Sequence, residues 1–189
     1  SNDETDQLAK ASESPESDSA LSDDDKDKRV DVTIDEAFVK RFIVEIAGIL
    51  DALQTQYTPP IIHRDIKPSN ILYDSKSDRF YLIDFGSVTN PQRKSLNSTI
   101  AGTQGYMAPE QLIGDCTIQS DYYGLGATSL HMITGISPAD IPTDGFVRLY
   151  DPIIERYALP TELKELLKLL LAPKAEDRPK SAQEILDIV

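Results

Sequence analysis

The chain has 189 residues, 32 acidic against 19 basic, for a formal net charge of -13 and a pI near 4.5. That length suits one domain with a sizeable core, and the acidity repels phosphate backbones and anionic lipid, arguing against nucleic acid or a membrane surface as partner. A single cysteine, Cys116, leaves no partner for an internal disulfide. With neither a membrane-length apolar run nor a signal-peptide pattern, the expectation is a soluble, intracellular, cytoplasmic protein.

Residues 1–30 are dominated by Ser, Asp and Glu, with the densest acid run at Asp23, Asp24 and Asp25. So little apolar surface cannot offset the entropy of ordering, which predicts a disordered acidic tail followed by one domain over 31–189. The tail reads as a solubilising segment or a linker, or alternatively as a regulatory tail with Ser12, Ser14, Ser17, Ser19 and Ser22 as phosphate acceptors. Thr33 and Glu36 have capping-box spacing. Phe38, Phe42, Ile43, Ile46, Ile49, Leu50 and Leu53 then recur at helical period, predicting an amphipathic helix to about Gln56 that Thr58, Pro59 and Pro60 end. Two short apolar runs, Ile71 to Tyr73 and Phe80 to Ile83, flank a polar turn and read as a hairpin. A long loop rich in Gly, Ser, Thr and Asn follows, from Asp84 to about Met107. Residues 118–133 are apolar almost all round, as a buried central helix would be. Leu163, Leu166, Leu167, Leu170 and Leu171 mark another amphipathic helix, and Ser181 with Glu184 caps a last one. The expected fold is mainly α, with one small β-hairpin and one long loop.

Three motifs stand in order along this frame: His63-Arg64-Asp65-Ile66-Lys67-Pro68-Ser69-Asn70, then Asp84-Phe85-Gly86, then Gly102-Thr103-Gln104-Gly105-Tyr106-Met107-Ala108-Pro109-Glu110. Each residue alone is unremarkable; Asp65 or Asp84 by itself would be an ordinary surface carboxylate. Together they resemble the catalytic loop, metal-binding motif and substrate-facing segment of eukaryotic-type Ser/Thr protein kinases, over about residues 35–189. The resemblance implies a kinase C-terminal lobe with a long activation loop. It implies Asp65 as the carboxylate that takes or orients the hydroxyl proton, and Lys67 as the cation facing the moving phosphate. Asn70 and Asp84 would be the two protein ligands of Mg²⁺, which prefers oxygen donors, and Leu72 would lie on the floor of the ATP adenine site. His63 matches a residue packed behind the loop rather than a base.

Supporting positions follow from the same resemblance. Glu110 and Arg178 would pair across the lower lobe, as a planar, permanently charged guanidinium suits. Asp121 would accept hydrogen bonds from the catalytic-loop backbone. Arg64 before Asp65 implies activation by a phosphate in the loop, with Ser95, Ser98 and Thr99 as acceptors, and Thr103 would face the catalytic loop and help set Ser/Thr preference. Residues 124–128 and 134–138 look more like bacterial-style kinases.

A kinase of this type also carries a Gly-rich phosphate loop, a strand Lys and a helix Glu before the helix that starts here near Thr33. Residues 1–30 contain no glycine, and Lys10, Lys26 and Lys28 sit in no strand pattern. The expectation is a protein kinase lobe using ATP and Mg²⁺ on a protein substrate, with its N-terminal lobe encoded elsewhere, lost or supplied by a partner. The alternative is an inactive pseudokinase or docking module that binds a protein.

Overall fold

The computed structural model describes residues 35–87 and 102–189. The acidic segment 1–30 and the loop positions Ser95, Ser98 and Thr99 lie outside the described residues.

Helix α1 spans Glu36–Thr55. Its cap is Asp35, whose side chain accepts from the Ala37 amide at 3.0 Å; this corrects the expected Thr33 cap, which lies outside the described residues. A carboxylate one residue before the first turn is as good a cap as a threonine hydroxyl. The inward stripe is Val39, Phe42, Ile43, Ile46, Ala47 and Leu50, with Phe38, Ile49 and Leu53 partly buried beside it. Each large member contributes about 1.5–3 kcal/mol by leaving water.

Strands β1 (Ile71–Asp74) and β2 (Arg79–Leu82) form the expected antiparallel hairpin, with Ile71 opposite Leu82 and Leu72 opposite Tyr81. Asp74 closes its turn by accepting from the Lys76 amide and the Ser77 hydroxyl. The two-residue period sends Phe80 and Leu82 inward, where Phe80 meets Phe42 and Phe38 of α1 edge-on at 5.3 and 5.2 Å. The opposite face shows Leu72 (53% exposed) and Tyr81 (48%) to solvent.

Helix α2 (Ile118–Thr134) is buried nearly all round and runs between α1 and α4 (Thr161–Leu170). Its axis can come this close to α4 because Gly126 has no side chain: a Cβ there would sit 2.8 Å from that of Leu170. Helix α5 (Ala182–Leu186) packs on α1 and is capped by Ser181, whose hydroxyl accepts from the Glu184 amide. Two elements carried no sequence signal. The pair β3 (Thr143–Asp144) and β4 (Val147–Arg148) and helix α3 (Asp151–Arg156) are too short to show a period. The result is a helical body with the hairpin on one side, and the segments flanking the hairpin, 63–70 before it and those between it and α2 after it, carry the site.

Candidate active site

The segment 63–70 is anchored by apolar side chains. Ile62 and Ile66 are buried and point the chain into the core, while Arg64 between them takes a left-handed backbone at φ +70°. A non-glycine residue holds that conformation only when its surroundings impose it. Here the fully buried Asp121 of α2 supplies the restraint: its two oxygens accept from the His63 and Arg64 amides, each at 2.8 Å. His63 is itself buried, with Nε2 donating to the Ile83 carbonyl at 3.1 Å, Nδ1 accepting from the Asp65 amide at 3.4 Å and its ring edge-on to Phe85. Burial pushes the His63 imidazole below its ordinary value, which suits a neutral ring with both nitrogens engaged.

This turn presents the Asp65 side chain to three partners. Lys67 Nζ lies 2.9 Å from Oδ2, the Thr103 hydroxyl donates to Oδ1 at 2.7 Å, and Asn70 Nδ2 donates to Oδ2 at 3.0 Å. Lys67 Nζ also donates to Thr103 Oγ1 at 2.6 Å, so Asp65, Lys67 and Thr103 close a triangle across 38 residues of sequence. Burial alone would raise the Asp65 carboxyl, but the hydrogen bonds from Lys67, Thr103 and Asn70 outweigh it and hold the group below the usual range. The site therefore keeps an ionised carboxylate next to a cation and a hydroxyl.

Asn70 spends Nδ2 on the Asp65 carbonyl at 2.8 Å as well as on the carboxylate, which leaves Oδ1 as the oxygen it can offer a ligand. The Ile83 amide donates to the Asn70 carbonyl at 2.9 Å. That bond extends the hairpin by one rung, so that Asp84, on the far side of the hairpin in sequence, directly follows the residue paired with Asn70. Asp84 is exposed and left-handed at φ +63°, with Oδ1 accepting from the Gly86 amide. An amide oxygen and a carboxylate are hard donors of the kind Mg²⁺ takes, so this pair fits that cation.

Glu110 and Arg178 meet in a two-point ion pair, Nη1 to Oε1 at 2.6 Å and Nη2 to Oε2 at 3.0 Å. Two further groups escaped sequence reasoning. Gln111 is buried between the loop and the end of segment 102–110, and Tyr150 donates to the Gly105 carbonyl at 3.2 Å. Only the position of Gln111 directly after Pro109-Glu110 hinted at a role, and nothing in the sequence tied Tyr150 to segment 102–110. His131 accepts or donates at 2.5 Å with the Tyr106 hydroxyl, tying that segment to α2.

Burial raises the Asp121 carboxyl to about 7 against the pull of the Arg64 and His63 amides. A folded value above the unfolded one contributes stability that is full below the unfolded value, near 3.9, and is lost as pH rises through about 7. Asp121→Asn stays neutral throughout. The stability gap between parent and variant, followed by thermal melting, is therefore expected to be widest near pH 4 and to narrow toward pH 8; a gap that widens with pH would reverse the assignment.

Comparison with known proteins places this site in a family. The family model described as the protein kinase domain matches residues 20–188. Serine/threonine-protein kinase B of Synechocystis sp. is 33% identical over 165 residues, covering 82% of this chain and 28% of that protein. Serine/threonine-protein kinase PknA of Nostoc sp. is 34% identical over 152 residues, with 75% and 26% covered. Human serine/threonine-protein kinase 32C is 33% identical over 167 residues, with 82% and 33% covered. The chain thus spans about a quarter to a third of the length of these relatives. Among the described residues no helix is long and apolar enough to cross a membrane. On the motif order, the helical fold and this match over most of its length, the chain belongs to the eukaryotic-type Ser/Thr protein kinase family.

Proposed function

We propose that the chain is the catalytic lobe of an ATP-dependent protein kinase that transfers the γ-phosphate to a protein Ser or Thr hydroxyl. The triangle of Asp65, Lys67 and Thr103 carries this reading, because it assembles the three groups the reaction needs where they touch. Phosphoryl transfer leaves the protein little covalent work; positioning and charge neutralisation supply the rate. Asp65, held ionised, accepts the proton of the incoming hydroxyl as its oxygen attacks. Lys67 faces the phosphate oxygens as charge spreads over them. Thr103 fixes Asp65 and lies where the acceptor residue would approach. Asn70 Oδ1 and the Asp84 carboxylate would hold Mg²⁺, which when bound neutralises charge on the phosphates. Leu72, exposed on the hairpin face, offers apolar surface to the adenine.

An inactive docking module would have no use for an ionised Asp65 balanced against Lys67, and nothing in the site favours that alternative. Protein substrates follow from the family, and the acidity of the chain points to basic peptides. An N-terminal lobe or regulatory partner seated over the Leu72 and Tyr81 face, activation through Ser95, Ser98 or Thr99, and a cytoplasmic location belong to the same proposal.

The test is calorimetric titration with Mg²⁺ and ATP, followed by phosphate transfer to a generic basic protein. The parent chain is expected to bind and transfer, and Asp84→Ala to weaken ATP binding by at least about tenfold through loss of a charged oxygen ligand. Equal binding by parent and variant would remove Asp84 from the site. No transfer by the parent at millimolar ATP would overturn the catalytic reading of the chain as it stands.

A further inference from the structure

The peptide that joins Arg64 to Asp65 sets where the Asp65 side chain points. Its amide lies on the buried His63 ring, and its carbonyl accepts from Gln111 Nε2 at 2.9 Å. Gln111 belongs to a different stretch, directly after Glu110, and is 2% exposed. Its Oε1 accepts from the Ala108 amide at 2.9 Å. One side chain therefore bonds the catalytic loop with its nitrogen and the end of segment 102–110 with its oxygen. The reverse orientation would set donor against donor at Ala108 and acceptor against acceptor at Arg64, so the partners fix the amide.

Two constraints make this bridge informative. Arg64 is left-handed, a strained conformation that its neighbours must hold. Asp121 holds the amide on one side of it, and Gln111 holds the carbonyl on the other. Thr103, the hydroxyl on Asp65, sits in the very segment whose end Gln111 bonds. We propose that Gln111 is a positioning residue for phosphoryl transfer, clamping the Arg64–Asp65 peptide against segment 102–110 so that the Asp65 carboxylate stays in register with Thr103. This rests on the catalytic reading above and adds to it the residue that couples the loop to the substrate-facing segment.

Gln111→Met keeps the length and unbranched shape of the side chain and removes both bonds. Transfer kinetics on the full chain are expected to show kcat lower by roughly 10- to 100-fold, since a displacement of about 1 Å costs that much, with the KM for ATP within about twofold of the parent. Gln111→Asn, which keeps the amide one methylene short, is expected to move kcat the same way and serves if the methionine variant does not fold. Ile185→Ala in α5 is the control for general destabilisation, because Ile185 is a core residue remote in sequence from the site. A kcat within about twofold of the parent, or a rise in KM with kcat unchanged, would overturn the proposal. Hydrogen exchange of residues 62–66 provides an arm that needs no activity. If the parent transfers no phosphate, the catalytic reading falls, but exchange at least about tenfold faster in Gln111→Met than in Ile185→Ala of equal global stability upholds the clamp. Equal exchange in the two variants overturns it.

Discussion

Replacing Asp65 by Asn is expected to lower the rate of phosphate transfer by about 10²–10⁴-fold while the chain stays folded. Asn has the same shape but cannot take a proton, and one of its two terminal atoms becomes a donor. In the folded chain both Asp65 oxygens face donors, Thr103 at one and Lys67 with Asn70 at the other. With its nitrogen toward Lys67 and Asn70 the amide sets donor against donor, and with it toward Thr103 the hydroxyl must turn round and accept, so the triangle loosens as well as losing the proposed base. Asp65→Glu separates these two effects. It restores an ionised carboxylate one methylene further out, displaced from Thr103 and Lys67, and is expected to recover little of the rate because geometry as well as charge is required. Single-turnover transfer, with circular dichroism as the check on folding, measures both. An Asp65→Asn chain that transfers within about threefold of the parent would move the base elsewhere. His63 would not be the substitute, since both its ring nitrogens are engaged.

What the sequence revealed, and what it withheld, divide along physical lines. Helices α1, α2 and α4 were legible because each buries a stripe or a whole surface over 10 or more residues, long enough for the 3.6-residue period to show. The hairpin was legible because a polar turn separates two short apolar runs. Helix α3 and the β3–β4 pair were not, since six residues and two residues show no period. The left-handed backbone of Arg64 could not be read at all. Nothing in the identity of an arginine encodes it; Asp121 and Gln111, distant in sequence, impose it through the tertiary fold. The same holds for the triangle at Asp65. Motif order suggests which residues meet, but that Thr103 donates to the carboxylate that Lys67 also binds is a fact of packing.

Arg178 shows how much such a tertiary contact is worth. The guanidinium has five N–H groups, and each finds an acceptor: Glu110 twice, and the carbonyls of Ala172, Gln119 and Pro173. Its face also lies 4.8 Å over the Tyr123 ring. Arg178→Met is expected to cost about 3–5 kcal/mol of stability, the range for stranding one partner of a buried ion pair, because the Glu110 carboxylate and three carbonyls lose their donors. Arg178→Lys should recover only a minor part, since three donors on a point charge cannot replace a five-donor fork. The pH dependence identifies the cause. Burial alone would raise the Glu110 carboxyl, but Arg178 and Ser120 outweigh it and hold the group below its ordinary range. A depressed folded value means stability present above the unfolded value near 4.3 and lost as pH falls through the folded one. In the methionine variant burial acts unopposed by the cation, so the gap between parent and variant should open as pH rises from about 4 to 7. Denaturant midpoints across that range measure it. A gap that is flat with pH, or smaller than about 1 kcal/mol, would mean that the pair is not what fixes the end of segment 102–110 to the lower lobe. A gap that opens as stated assigns that stability to the ion pair of Arg178 with Glu110, a contact made across 68 residues of sequence.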